Sequence, residues 1–202
     1  LFDDSGLVRE CDVIGPYLVP NMASVVQKAN EQIGPQSTML FGNMPRDGGH
    51  LFLSADEVNS LSEDRKALNF VHRFVGSEEL INGKQRYCLW IDDEDWKIAI
   101  ANDLISKKLA LVAENRSKSP AASTRDFASR PFRFVQIAGR SKNSTIVVPR
   151  VSSENRDFLP VDYLTSDYII GDRNFAIYDA PLWNMALVAS RLHWVWISTV
   201  CG

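Results

Sequence analysis

The stretch Phe41-Gly42-Asn43-Met44-Pro45-Arg46-Asp47-Gly48-Gly49-His50-Leu51 constrains the backbone more than any other part of this chain. Asp-Gly and Gly-Gly supply the positive φ angles of tight turns, and Pro45 fixes its own φ on the way in. Asn43 is a further turn-former. Apolar residues flank the run, so the pattern predicts strands at 39–41 and 51–53 joined by a hairpin or loop. Ser54, with Glu57 three places on, has the capping-box pattern and predicts a helix as far as Leu61.

Similar reasoning divides the rest of the chain. Residues 13–19 are apolar but broken by Gly15-Pro16, which suggests an edge strand. A second short helix is expected over 65–71 and a Tyr- and Trp-rich strand over 86–91. After Asp92-Asp93-Glu94-Asp95, Trp96, Ile100, Leu104 and Leu111, with Ile105 and Leu109 alongside, predict one helix with one apolar stripe. Acids at its start and Lys107-Lys108 near its end suit the helix dipole, so those acids read as terminus residues rather than metal ligands. Residues 117–131 read as a loop with a helical turn near 124–128, and 132–137, 145–151, 158–163 and a run within 168–177 read as strands. The segment 182–200 reads as a long, buried apolar helix. The fold class is therefore α+β, with a mixed, mostly antiparallel and partly barrel-like sheet flanked by helices, and 1–202 forming one domain.

At 202 residues the chain can bury a sizeable core, and its 45% apolar and 23% charged fractions are those of an ordinary globular protein. No run approaches the roughly 18 apolar residues of a membrane span, so no membrane partner is expected. Cys11, Cys88 and Cys201 lack metal or redox spacing and suit a reducing cytoplasm. The opening Leu1-Phe2-Asp3-Asp4 lacks an initiator methionine, and the chain is expected to be a piece of a longer polypeptide. Net charge is −3, but it is uneven: between residues 107 and 156 eleven cations face three acids, giving that window +8 and the remainder −11. Such a cluster is either a solvated face or a nucleic-acid footprint.

Catalytic signatures are missing. There is no Asp/Asn-Pro-Pro-aromatic methylation motif, no Gly-rich cofactor fingerprint after a strand, no Glu-x-Lys nuclease pair and no Gly-x-Ser-x-Gly elbow. His50, His72 and His193 have no His or Cys at ligand spacing, and His193 reads as a hydrogen-bonded core histidine. All five tryptophans read as core. Two polar turns stand out instead: Arg150-Val151-Ser152-Ser153-Glu154-Asn155-Arg156, and Gly171-Asp172-Arg173-Asn174. Either could be an ordinary polar turn with local ion pairs.

Several blocks resemble a known family in the same order along the chain. They are Phe41 to Ser54; Phe74-Val75-Gly76-Ser77-Glu78-Glu79 with Ile81-Asn82-Gly83 and Arg86-Tyr87-Cys88-Leu89-Trp90; Ser117-Lys118 with Ser123-Thr124-Arg125; Val148 to Glu154 with Arg156 to Pro160; and Ser190-Arg191-Leu192-His193 with Val200-Cys201-Gly202. The pattern is similar to the target recognition domain of MmeI-like (type IIL) restriction–modification enzymes, single chains that methylate adenine in DNA. The resemblance implies a sequence-specific double-stranded DNA recognition module that positions an adenine for N6 methylation by a separate catalytic domain. It implies no catalysis by this fragment, and a parent that is a site-specific DNA adenine methyltransferase with endonuclease activity. No cofactor is expected here; the parent would use S-adenosylmethionine, and magnesium if it cleaves. Partners would be DNA and the parent's methyltransferase and C-terminal domains.

Arg suits guanine, Asn or Gln adenine, and Glu or Asp the cytosine amino group. With the resemblance, base reading is expected from Arg150, Ser152, Ser153, Glu154, Arg156, Asp172, Arg173 and Asn174, and from positions just beyond Gly202. Lys118, Ser123, Thr124, Arg125, Arg140 and Lys142 are expected to contact the DNA backbone, which sets register without reading sequence. The alternative, which the acidic net charge favours, is a protein-interaction or scaffolding domain that binds no DNA.

Overall fold

The computed structural model describes Gly6, Val8 and residues 10–20, 25–29, 32–153 and 155–200. In chain order the strands are β1 (Leu40–Phe41), β2 (Phe52–Leu53), β3 (Val71–Val75), β4 (Tyr87–Leu89), β5 (Ser144–Pro149), β6 (Asp162–Thr165), β7 (Tyr168–Ile170) and β8 (Asn174–Tyr178). The helices are α1 (Ala55–Leu61), α2 (Arg65–Leu68), α3 (Ser77–Asn82), α4 (Trp96–Ala99), α5 (Asp103–Ser117), α6 (Ala122–Arg125), α7 (Trp183–Val188) and α8 (Arg191–Val200), with a 3₁₀ turn at Asp126–Ser129. The α+β class holds, but there is no barrel among the described residues. Two open four-stranded sheets form instead, ordered β1-β8-β5-β6 and β2-β4-β3-β7. Every pairing is antiparallel except β3 with β7.

Local signals are realised where backbone chemistry alone decides. Gly48 and Gly49 take φ of +68° and +87°, and the Ser54–Glu57 capping box opens α1. Pairing is another matter. β1 and β2 do not form a hairpin: β1 pairs with β8 and β2 with β4, so the Asp-Gly-Gly turn carries the chain from one sheet to the other. Residues 13–19 make a turn rather than a strand, with Leu18 N–H donating to Gly15 O and Gly15 N–H to Val19 O. In 132–137 only an isolated bridge forms, from Gln136 to Met44.

The expected single helix after the acidic cluster is broken. Asn102 accepts hydrogen bonds from the amides of Leu104 and Ile105 and so caps a new helix, α5. The break re-phases the apolar face. Ile105, Leu109, Val112 and Arg116 are buried, at the i, i+4, i+7, i+11 spacing of one helix face, whereas Trp96, Ile100 and Leu111 stay partly exposed. Burying each of those aliphatic side chains contributes roughly 1.5–3 kcal/mol. They join the main core with Leu51, Leu61, Phe74, Leu89, Trp90 and Phe134.

The long buried helix expected at the end of the chain is also divided. Ser190 Oγ accepts the amide of His193, starting α8 afresh after α7. Only Asn184 in α7 and Trp194 in α8 are buried, while Leu182, Leu187, Leu192, Val195 and Trp196 are exposed. Trp90 and Trp194 are core residues, but Trp96, Trp183 and Trp196 are not. His193 is half-buried, and its Nδ1–H donates to Val188 O at 2.7 Å.

The two sheets meet at a seam of backbone. A Cβ on Gly42 would lie 2.1 Å from Gly171 O, and one on Gly171 would lie 2.4 Å from the Phe74 ring. Glycine at both positions lets the chains touch. Beside them Asn43, fully buried, is no turn-former but a clamp. Its Nδ2 donates to Gly139 O and Ile170 O (2.9 and 3.1 Å), and its Oδ1 accepts from the amides of Ala138 and Gly139 (2.8 and 3.3 Å). Asp172 N–H donates to Asn43 O, which ties the 171–173 turn to the opening motif.

Candidate functional site

Arg116 shapes the turn that reaches the seam. It is fully buried, and all five guanidinium N–H groups face carbonyls: Nε to Arg46 O, one terminal nitrogen to Phe127 O and Arg130 O, and the other to Pro45 O and Arg133 O, at 2.8–3.2 Å. Five planar donors suit five converging carbonyls, which no other side chain offers. Burial lowers its pKa to about 10, with the nearby Asp47 carboxylate opposing the shift. The held backbone puts Arg46 at φ +45°, a left-handed conformation uncommon outside glycine. Arg46 then sends Nε to Met44 Sδ and a terminal nitrogen to Thr124 Oγ1 (3.0 and 3.3 Å).

A cleft of about 480 Å³ lies over the seam, lined by Arg46, Phe52, Ser77, Arg86, Asp172 and Arg173 among others. Two of its three carboxylates, those of Glu79 and Glu78 but not that of Asp172, are already occupied. Glu79 accepts the amide of Gly76 and pairs with Arg86 at 3.7 Å, and Glu78 pairs with Lys84, which lowers the Glu78 pKa. Arg86 lies flat on Phe52, its guanidinium carbon 3.6 Å from the ring centroid. Arg173 is exposed and makes no side-chain hydrogen bond among the described residues; its carbonyl accepts from Ser77 Oγ at 2.8 Å.

Next to the cleft, β5 and β8 bring the two polar turns side by side, with Pro149 opposite Asn174. Arg150 N–H donates to Arg173 O, and the Arg150 guanidinium donates to Asp172 O, each near 3 Å. The guanidinium also stacks over Phe41, 4.8 Å from its centroid, with Phe175 at 6.0 Å. Arg150, Asp172 and Arg173 are thus one constellation.

The other expected base readers are placed differently. Asn174 is fully buried: its Nδ2 donates to Val75 O at 2.9 Å and its Oδ1 faces Ser77 Oγ. Both ends of its amide are engaged inside the fold, so in this structure Asn174 is a buried structural residue and does not present the donor and acceptor expected of an adenine reader. Ser152 Oγ is buried without a partner, which also points it away from solvent. Ser153 and Arg156 are exposed on the following turn, where Arg156 O accepts from Trp194 Nε1. Glu154 lies outside the described residues.

Among the expected backbone contacts, Lys118 is exposed and paired with Glu114, Ser123 is exposed, and Arg125 donates to Ser119 O and Pro120 O. Thr124 is buried, its hydroxyl turned to Arg46, so it supports the cleft and does not face a phosphate. Arg140 lines a different cleft, of about 390 Å³, with Lys66, His72, Trp90 and Asp92. Its guanidinium approaches His72 Nδ1 at 3.4 Å. Burial first, and Arg140 second, push the His72 pKa down to about 4. Lys142 sits on a loop whose amides, those of Lys142, Asn143 and Ser144, donate to the Asp179 carboxylate, which lowers the Asp179 pKa.

The +8 window is therefore not one surface. Arg116 is internal, Lys108 is spent on Glu57 and Phe52 O, and Arg133 pairs with Asp93. Arg46, Arg86 and Phe41 were missed as site residues. Their presence in the resembling blocks was the available signal. Among the described residues no group of three or more His, Cys, Asp or Glu side chains is placed to hold a metal ion, and no helix is long and apolar enough to cross a membrane.

The comparisons agree with this architecture. The family model "MmeI, target recognition domain" matches residues 20–202, and the chain belongs to that family. DNA methyltransferase A of Bacillus subtilis (strain 168) is 33% identical over 190 residues, which is 94% of this chain and 22% of that protein. A solved structure of the type IIL restriction–modification enzyme MmeI in complex with DNA is similar at a TM-score of 0.84 and 30% identity, over 96% of this chain and 26% of that one. The chain spans about a quarter of the length of these relatives.

Proposed function

We propose that this chain is the DNA target recognition module of a restriction–modification protein, reading a short duplex site so that a separate domain can methylate an adenine at N6. The observation that carries the reading is the likeness, over nearly the whole chain, to an enzyme solved with DNA. The seam constellation gives the likeness a chemistry. Arg46, Arg150 and Arg173 present cationic donors beside Asp172, the residue types that contact phosphates and distinguish base edges. Arg150, Asp172, Arg173, Ser153, Glu154 and Arg156 remain the base-reading set, with Arg46 added. Lys118, Ser123, Arg125, Arg140 and Lys142 are the backbone set.

Methylation, cleavage, S-adenosylmethionine and magnesium belong in this reading to other parts of a cytoplasmic parent. The methyltransferase and C-terminal domains would complete the DNA cleft, which accounts for recognition by a module with net charge −3. A second reading, a protein-interaction domain, is favoured by the exposed Leu187, Leu192 and Trp196 on α7 and α8; it predicts no salt-dependent DNA binding.

The test exchanges Arg173 for Ala in the full-length protein and maps its methylated sites. Relaxed preference at one position, with activity kept at the others, is the expected result. Unchanged specificity would remove Arg173 from the reading set, and absence of any DNA binding by the unaltered protein would remove the function.

A further inference from the structure

Phe41 is more than half exposed, yet it stands on a two-residue edge strand whose register puts it opposite Phe175, ring centroids 5.2 Å apart. An exposed aromatic ring loses hydrophobic stabilisation by facing water, so what lies over it is informative. Here it is Arg150. Its guanidinium is bounded on one face by Phe41, and one of its N–H groups is taken by Asp172 O. Among the described residues its remaining N–H groups have no hydrogen-bond partner and no carboxylate within pairing distance. The main chain is fixed as well, because Arg150 N–H donates to Arg173 O while Asp172 N–H donates to Asn43 O.

A long, flexible side chain is thus held at one N–H group and along one face before any ligand arrives. That preorganisation lowers the ordering cost of a bidentate contact. The ligand with matching geometry is a pair of acceptors on one rigid edge, as guanine presents at O6 and N7 in the major groove. A phosphate also presents paired acceptors and takes the same fork, but a phosphate contact carries no sequence information, so a base preference confined to one position separates the two.

We infer that Phe41 is a positioning residue for Arg150, and that the aromatic platform orients the free edge of this guanidinium to read a guanine. The inference rests on the DNA-recognition reading above and adds to it the base class and the residue that sets the reader's angle.

The test selects duplexes from a randomised pool with the full-length protein and its variants, and scores the preference for each base at each position. Arg150→Ala is expected to lose about 10-fold or more of a guanine preference at one position. Phe41→Leu keeps the apolar strand residue but removes the ring face, and is expected to lose roughly 2- to 5-fold at that same position only. Phe41→Tyr, which restores the face, is expected to restore the preference. The inference is overturned if Arg150→Ala weakens all sequences alike, as a phosphate contact would, or relaxes a base other than guanine. It is also overturned if Phe41→Leu leaves the position affected by Arg150 unchanged, or if Phe41→Tyr fails to rescue. If the unaltered protein enriches no sequence at all, the recognition function falls and this inference with it.

Discussion

Arg116 and Arg150 come from the same basic stretch of sequence, and the fold puts them to opposite uses. Arg116 ends the buried stripe of α5, with each of its five donors on a main-chain carbonyl. Arg150 follows β5 into solvent with one donor held and its ring-stacked face fixed. The first spends its charge on the inside of the molecule and sets the shape of the turn at Arg46. The second keeps donors available for something that is not protein. Positive charge counted along a sequence therefore measures neither surface nor binding; what matters is how many donors the fold leaves unused.

The largest expected effect tests the internal half of that contrast. Arg116→Met leaves five carbonyls without their donor in a buried site and is expected to cost about 3–5 kcal/mol of stability by denaturant titration. Arg116→Lys rescues little, since an ammonium has fewer donors and a different geometry. Arg150→Ala, in contrast, loses one exposed hydrogen bond and one exposed ring contact and should cost no more than about 1 kcal/mol. Equal losses from the two substitutions would erase the distinction.

A middle-sized effect concerns His72, whose neighbour Arg140 belongs to the same basic stretch but faces another cleft. Its pKa is about 4 in the folded chain against an ordinary 6.5. The unfolded chain therefore takes up this proton first, and stability falls as pH drops from about 6.5 toward 4. By about pH 5 the loss from this group is ~2 kcal/mol relative to neutral pH, beyond what carboxylates contribute. His72→Gln should flatten that part of the stability–pH curve; an unchanged slope would place the acid sensitivity elsewhere.

The smallest effect sharpens the outer half. Lys118, exposed and paired with Glu114, should cost under about 0.5 kcal/mol of stability when changed to Ala. If it meets a phosphate, the same change weakens binding of every DNA sequence alike and lowers the salt slope by about 0.9. A selective loss at one sequence would instead make it a base reader.

The parts legible in advance share a short range. The Ser54–Glu57 box, the positive φ of Gly48-Gly49 and the α+β class all depend on neighbours within a few residues or on periodicity. Apart from the overlooked Asn102 cap, which is local, the errors share a long range. The Asp-Gly-Gly turn does reverse the chain, but the partner of Phe41 is Phe175, and no local signal names a strand so far along the chain. The unbroken helix expected from Trp96 onward overlooked Asn102, whose side chain competes for the amides of the next turn. Asn174 matched an adenine reader by type, yet one strand register placed it at full burial against Val75.

By itself the sequence determined the residue types, the caps, the turn-forming glycines and the blocks that mark the family, because these follow from local backbone chemistry and ordered identity. Only the tertiary structure decided which arginines are internal and which are offered outward, and that Phe41 and Arg150 meet. The reason is that hydrogen-bond satisfaction is settled by what the fold brings within about 3 Å, and that distance has no counterpart along the chain.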